Sequence, residues 1–146
     1  ARVTGLGLNP VELEENPQLT ERVVHDINAT PALPLGEAEF DAAALVVSVQ
    51  YLTKPAETFA GVNRLLKPGA AFHVIYSNRM FPTKAVALWQ ALDERERAML
   101  IVNYFRGSGE HMGGAAWREV EIIDASPQLE FPTDPVYVVR ARKDNR

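Results

Sequence analysis

The 146-residue sequence contains no cysteine, which excludes disulfide bonds, thiolate metal sites and a cysteine nucleophile. Its three histidines, His25, His73 and His111, are far apart and lack the H-x-x-x-H spacing of a helical metal site. We therefore predict no metal site. No apolar run approaches the roughly 20 residues that cross a membrane, so no membrane span is expected. No signal peptide is visible either, and the sequence predicts a cytoplasmic protein.

Positive charge is also scarce, since 15 Lys and Arg face 19 Asp and Glu and the net charge is -4. Surfaces that bind nucleic acid need clustered basic residues, so no nucleic-acid partner is expected. Basic residues gather only near the C-terminus, in a run typical of a solvated end. The length and the 47% hydrophobic content predict one domain, residues 1–146, with a core of its own.

The most informative stretch is residues 40–51, Phe-Asp-Ala-Ala-Ala-Leu-Val-Val-Ser-Val-Gln-Tyr. A strand with one wet face would alternate polar and apolar residues, whereas this run stays apolar from Ala42 to Val47. The pattern predicts a strand over residues 41–49 that is covered on both faces, as in a parallel sheet. A buried helix segment is the alternative, but Gly36 and the Lys54-Pro55 pair limit the run to strand length.

The rest of the chain alternates between predicted strands and helices. Strands are predicted at residues 2–8, 22–27, 41–49, 70–76, 117–125 and 134–143. Helices are predicted at residues 10–13, 54–66 and 83–105, the last broken near Leu92 and Asp93, and a glycine-rich loop at 107–114. Alternating elements followed by two consecutive strands predict an α/β fold. Its sheet is expected to be mostly parallel, with an antiparallel C-terminal edge.

Polar side chains leave two of these strands at their carboxyl ends, where open α/β sheets bind ligands. They are Ser48, Gln50, Tyr51, Ser77, Asn78 and Arg79. We interpret Tyr51, Asn78 and Arg79 as candidate substrate contacts, with Arg79 suited to an anionic group. The alternatives are a rim aromatic for Tyr51 and a surface charge for Arg79.

Four motifs follow one another in a familiar order: Asp26, Leu33-Pro34, Phe40-Asp41 and Leu65-Leu66-Lys67-Pro68-Gly69. Together they resemble the class I S-adenosylmethionine-dependent methyltransferases of the small-molecule "methyltransferase type 11" branch. That family carries an acid after its third strand, L-P, F-D before its fourth strand and L-K-P-G-G before its fifth. The resemblance implies a Rossmann-like fold, S-adenosylmethionine as cofactor and a small-molecule acceptor.

The resemblance also implies cofactor-binding roles. Asp26 is expected to accept a hydrogen bond from the adenine amino group, and Ile27 to pack on the adenine ring. Asn28, Ser48 and Gln50 are further candidate cofactor contacts. Simple turn roles are the alternatives for Asp26 and Asn28.

The family's ribose-binding acid has no counterpart here. Gly7 occupies its position at the end of the second strand. Asn9, close by, is a substitute with one acceptor oxygen, or only a turn former before Pro10.

The family's first strand and its glycine-rich loop, in outline E-x-G-x-G-x-G, are not evident. Thr4-Gly5-Leu6-Gly7 lacks the third glycine, and Pro10 follows instead. The spacing from Asp26 to Phe40 fits the family's third and fourth strands, so residues 2–8 match its second strand. We therefore expect a domain that is N-terminally truncated relative to the family and lacks the first strand.

Three functions are compatible with these patterns. The first is a methyltransferase, for which no catalytic residue is assigned because the reaction depends mainly on orientation of the reactants. The second is a non-catalytic methyltransferase-like fragment that serves as an oligomerisation or interaction module. The third is a nicotinamide-dependent Rossmann protein that uses Gly5, Gly7 and Asp26. A sheet without its first strand exposes a strand edge, which predicts a homodimer through that edge.

Overall fold

The computed structural model describes residues 1–112 and 116–145. Its strands are β1 (Thr4–Gly7), β2 (Glu21–Val24), β3 (Phe40–Val46), β4 (Leu66–Tyr76), β5 (Trp117–Asp124) and β6 (Tyr137–Lys143). Its α-helices are α1 (Pro10–Glu15), α2 (Pro55–Leu65), α3 (Ala87–Ala91) and α4 (Glu94–Ser108). The predicted order of strands and helices is confirmed. Within the described residues, no helix is long and apolar enough to cross a membrane.

The strands form two sheets rather than one. β1 and β2 pair in parallel, while the second sheet has the order β3-β4-β6-β5. In that sheet β3 and β4 are parallel, and β6 runs antiparallel to both β4 and β5. The α/β fold with an antiparallel C-terminal edge is therefore confirmed. Within the described residues, no further strand fills the space between the two sheets and joins β1 to β3 by hydrogen bonds. This is expected for a domain that lacks the family's first strand.

The core lies on one face of the four-stranded sheet, where α2 and α4 pack. An aromatic cluster fills it: Phe59 of α2, Phe72 of β4, Tyr104 and Phe105 of α4, and Trp117 of β5. The ring of Phe59 meets that of Phe105 edge-on, with 4.9 Å between centroids, and that of Phe72 at 5.0 Å. This packing fixes α2, which connects β3 to β4, against the sheet.

The prediction that β3 is covered on both faces is wrong. Ala42, Ala44 and Val46 are exposed, Val46 by 56%. Residues opposite one another in the ladders share a face, which places His73 and Arg140 in the row of Ala44. That face of the sheet is open to solvent and carries charged side chains. Exposing the small side chains of Ala42 and Ala44 there costs little free energy. The apolar character of this run therefore does not mean that both faces of the strand are buried. The homodimer through the exposed edge of the sheet, which is β3, stays a prediction.

Several element boundaries differ from the predictions: β2 ends at Val24, β4 begins at Leu66 and β6 begins at Tyr137. Two further differences have tertiary reasons. β3 ends at Val46 because Val47 adopts a left-handed conformation with φ of 47°. The region 83–105 is helical only from Ala87, since the backbone N–H of Val86 donates to the carbonyl of Gln50 at 3.0 Å. The predicted break before Glu94 is confirmed.

Asp93 begins α4 as a reciprocal capping box with Glu96, as its position near the predicted break suggested. The predicted glycine-rich loop at 107–114 is only partly as expected. Gly107 lies within α4, and residues 110–112 form a 3-10 turn. Gly113 and Gly114 lie outside the described residues.

Two neighbouring tyrosines make the free energy of unfolding depend on pH in the alkaline range. Burial raises the pKa of Tyr76 to about 12, and a hydrogen bond to Glu94 raises the pKa of Tyr137 to about 12. Unfolded tyrosine titrates near pH 10, so this stabilisation is complete below about pH 10 and is lost between about pH 10 and 12. We expect Tyr137→Phe to reduce the fall in urea midpoint between pH 9 and 11. An unchanged fall would contradict the assignment to Tyr137.

Candidate functional site

The carboxyl ends of β2 and β3 meet through one side chain, Asn28. Its Nδ2 donates to the carbonyl oxygen of Tyr51 at 2.8 Å, and its Oδ1 accepts from the backbone N–H of Thr53 at 3.0 Å. Both ends of the carboxamide are thus engaged across the boundary between the two sheets. At the opposite, amino ends of the strands, Arg2, which precedes β1, forms an ion pair with Glu39 at 3.1 Å.

Gln50 lies at the exit of β3, in a 3-10 turn over residues Val49–Tyr51, and is only 1% exposed. Its Nε2 contacts the carbonyl oxygens of Val47 at 3.4 Å and Arg79 at 3.3 Å. Its Oε1 is buried without a hydrogen-bond partner. A buried acceptor without a partner costs free energy, and an oxygen this enclosed can meet a ligand only if the turn moves.

The turn beside Gln50 is strained. Val47 is β-branched, and such residues rarely adopt a positive φ. Strain of this kind costs about 1–3 kcal/mol and clusters at functional sites. The backbone N–H of Val47 donates to Ile75 of β4 at 2.8 Å, which ties the strained turn to the neighbouring strand.

The residues after β4 pack against the same turn. The hydroxyl of Tyr51 accepts a hydrogen bond from the backbone N–H of Phe81 at 2.9 Å. Arg79 is exposed and forms an ion pair with Asp134 at 2.8 Å, and this ion pair raises the pKa of Arg79. Asn78 is exposed beside Ser77. The structure therefore brings Asn28, Gln50, Tyr51 and Arg79 to one edge of the fold.

Three other predicted residues have local roles in the structure. Asp26 is exposed, and its Oδ1 accepts from the backbone N–H groups of Asn28 and Ala29 at 3.0 and 3.2 Å. Ile27 is half-buried against the core. The Oγ of Ser48 donates to the carbonyl of Val46 at 2.9 Å.

Asn9 caps α1. Its Oδ1 accepts from the backbone N–H groups of Val11 and Glu12, so this oxygen is already engaged and the amide nitrogen remains for other contacts.

Gly5 of β1 has a packing reason. A Cβ atom on Gly5 would collide with Leu19 Cδ1, so the side chain of Leu19 occupies the space beside this glycine. That explains a glycine at this position without a dinucleotide. Within the described residues, no three acidic or histidine side chains are grouped as metal ligands would be.

The structure also reveals contacts that the sequence patterns did not single out. Thr53, Phe81 and Asp134 join the candidate residues through backbone or side-chain bonds that span 25 or more positions. Tyr51 and Arg79 were predicted from their positions after strands. Their partners on distant loops carry no local signal that could have identified them.

Solved structures of the same fold come from several organisms. An S-adenosylmethionine-dependent methyltransferase from Methanosarcina mazei has a TM-score of 0.58 and 14% identity, over 99% of this chain and 83% of that one. One from Thermotoga maritima has a TM-score of 0.67 and 15% identity, over 97% and 73%. A third chain comes from a Haloferax volcanii complex with the Trm112 methyltransferase activator. It has a TM-score of 0.62 and 19% identity, over 98% of this chain and 72% of that one.

Identities this low show the fold alone, and a comparison with curated proteins finds no match. A family model described as a methyltransferase domain matches residues 1–74, half of the chain. That segment covers β1 to β3 and most of β4, and it includes Asp26, Asn28, Gln50 and Tyr51. The chain therefore belongs to the methyltransferase-domain family, and its cofactor is S-adenosylmethionine.

Proposed function

We propose that this chain transfers a methyl group from S-adenosylmethionine to a small-molecule acceptor at the edge where β2, β3 and β4 end. The observation that carries the proposal is the double hydrogen bond of Asn28 to Tyr51 and Thr53. It holds the proposed cofactor residues after β2 beside the proposed acceptor residues after β3. Methyl transfer needs these two sites to be adjacent and fixed relative to each other.

The residues at this edge fit a nucleoside cofactor. Within the described residues Asp26 uses only Oδ1, so Oδ2 is available to the donor hydrogens of an adenine amino group. Gln50 Oε1 is a second acceptor without a partner. Ile27, Asn28, Ser48 and Asn9 complete the proposed cofactor residues. Gly7 supplies no carboxylate for the ribose, and the amide nitrogen of Asn9, which has no partner among the described residues, can only donate to it.

The sulfonium of the bound cofactor supplies an activated methyl group. The residues of this chain bind the two reactants, align them and limit access of water. Tyr51, Asn78 and Arg79 are the proposed acceptor contacts. The ion pair of Arg79 with Asp134 holds the loop after β4 in place, so Arg79 positions that loop in addition to any contact with substrate.

A non-catalytic interaction module is the second candidate function. The exposed edge of β3 and the glycine at the ribose position favour it. The two candidates differ in cofactor binding, which a module does not need.

Calorimetric titration with S-adenosylhomocysteine separates them. We expect saturable one-site binding by the wild type and a loss of affinity of roughly tenfold in Asp26→Ala, the effect of one hydrogen bond to a charged group. Asp26→Asn keeps the acceptor of the turn and is expected to lose a similar amount, which isolates the ligand contact. Asp41→Ala, at the opposite end of β3, is the control and should bind as the wild type does. No binding by the wild type at millimolar ligand would support the module instead.

A further inference from the structure

Two aromatic side chains differ from all the others in their exposure to solvent. Every Phe, Tyr and Trp of the chain lies within the described residues, and only Phe81 and Phe131 are exposed. Phe81 is 66% exposed and Phe131 is 65% exposed. Aromatic residues bring the largest gain on burial, and the other aromatic side chains are buried or half-buried here. Within the described residues, these two rings are therefore the aromatic side chains most open to contact with a ligand.

Both residues lie on loops at the proposed active edge. β4 ends at Tyr76, directly opposite Tyr137, where β6 begins. The loop of residues 77–86 therefore leaves the sheet where the loop of residues 125–136 enters it. Two contacts join the loops: the Oγ of Ser77 donates to the carbonyl of Pro135 at 2.7 Å, and Arg79 pairs with Asp134 at 2.8 Å.

The first loop is also attached to the proposed acceptor residues. Tyr51 holds the backbone N–H of Phe81 through its hydroxyl at 2.9 Å, and Gln50 holds that of Val86 through its carbonyl at 3.0 Å. The backbone that presents Phe81 is thus fixed beside the exit of β3. The ammonium of Lys84 lies 5.4 Å from the centre of the Phe81 ring. On the second loop, Leu129 is exposed as well as Phe131.

We propose that Phe81 and Phe131, with Leu129, form an apolar wall of the acceptor site and that the acceptor is a largely apolar small molecule. This inference rests on the proposed function, because it places the acceptor at the same edge. Exposed apolar patches at a concave or loop-lined edge mark binding sites for small molecules or proteins. The fixed attachment of the Phe81 loop to Gln50 and Tyr51, residues of the proposed site, favours the small molecule.

A homologous series of phenols tests this wall. Binding of para-ethylphenol, para-butylphenol and para-hexylphenol would be measured by calorimetry, with S-adenosylhomocysteine titrated separately into each protein. A fully buried methylene strengthens binding by about fourfold. We expect the wild type to gain at least about tenfold from ethyl to hexyl. The double variant Phe81→Ala/Phe131→Ala should lose most of this gain and keep the wild-type affinity for S-adenosylhomocysteine.

The matched control is Val3→Ala/Met112→Ala, which removes two exposed apolar side chains, one before β1 and one in the 3-10 turn after α4. It should retain the dependence on chain length. A gain that survives in the Phe81/Phe131 variant, or that disappears in the control, would overturn the proposal. Light scattering that shows a wild-type dimer dissociated by the Phe81/Phe131 changes would assign the wall to a protein contact and also overturn it. Failure of S-adenosylhomocysteine to bind the wild type would count against the proposed function alone.

Discussion

Phe59→Ala is expected to lower the free energy of unfolding by about 3–5 kcal/mol, the usual cost of truncating a buried phenylalanine. The Phe59 side chain is 0% exposed and meets the rings of Phe72, Tyr104 and Phe105 edge-on. Each such ring contact adds about 0.5–1.5 kcal/mol beyond the burial of its area. The free energy of unfolding of such domains is only about 5–15 kcal/mol, so the expected loss is a large fraction of it.

The effect should extend to the proposed site, because Phe59 fixes α2 and α2 joins the exit of β3 to β4. Urea unfolding followed by circular dichroism measures the change. Phe81→Ala is the matched control, since it removes the same atoms from an exposed position and should change the free energy by no more than about 0.5 kcal/mol. A loss below about 1 kcal/mol for Phe59→Ala would mean that the aromatic cluster repacks around the deletion.

Local patterns predicted the elements of this fold well. The break before α4 follows from the Asp93 and Glu96 capping box, which is entirely local in sequence. The paired strands β5 and β6 follow from two consecutive predicted strands with no helix between them. Residues 83–86 were placed wrongly in a helix, because what holds Val86 is a hydrogen bond to Gln50, 36 positions away in sequence. No local pattern reports such a contact.

The burial of β3 shows a second limit. The run from Ala42 to Val47 is apolar throughout, but coverage of a face depends on which other elements lie beside it. In the described chain β1 and β2 form a separate sheet, and Ala42, Ala44 and Val46 stay exposed. The candidate site divides in the same way. Gln50 and Tyr51 were predictable from their place after a strand, whereas the exposure of Phe81 and Phe131 is a property of the folded loops.

Asn28→Asp is expected to weaken S-adenosylhomocysteine binding on the order of a hundredfold, which corresponds to about 2.7 kcal/mol. The substitution retains an oxygen for the N–H of Thr53 but replaces the Nδ2 donor with an oxygen 2.8 Å from the carbonyl of Tyr51. Two acceptors at that distance repel, and the part-buried charge has no compensating partner. The turn that carries Asp26 should then separate from the turn that carries Tyr51.

The free energy of unfolding should fall as well, by about 1–3 kcal/mol, because the bridge also joins the two sheets. Asn78→Asp makes the same change in charge at an exposed position of the same edge, so its binding should fall by less than about threefold. Calorimetry on both variants, with urea unfolding alongside, measures the two effects. If Asn28→Asp lost stability but bound the ligand as tightly as the wild type, the bridge would join the sheets without shaping the site. Equal losses of binding in both variants would instead point to repulsion between the added charge and the ligand, independent of the bridge.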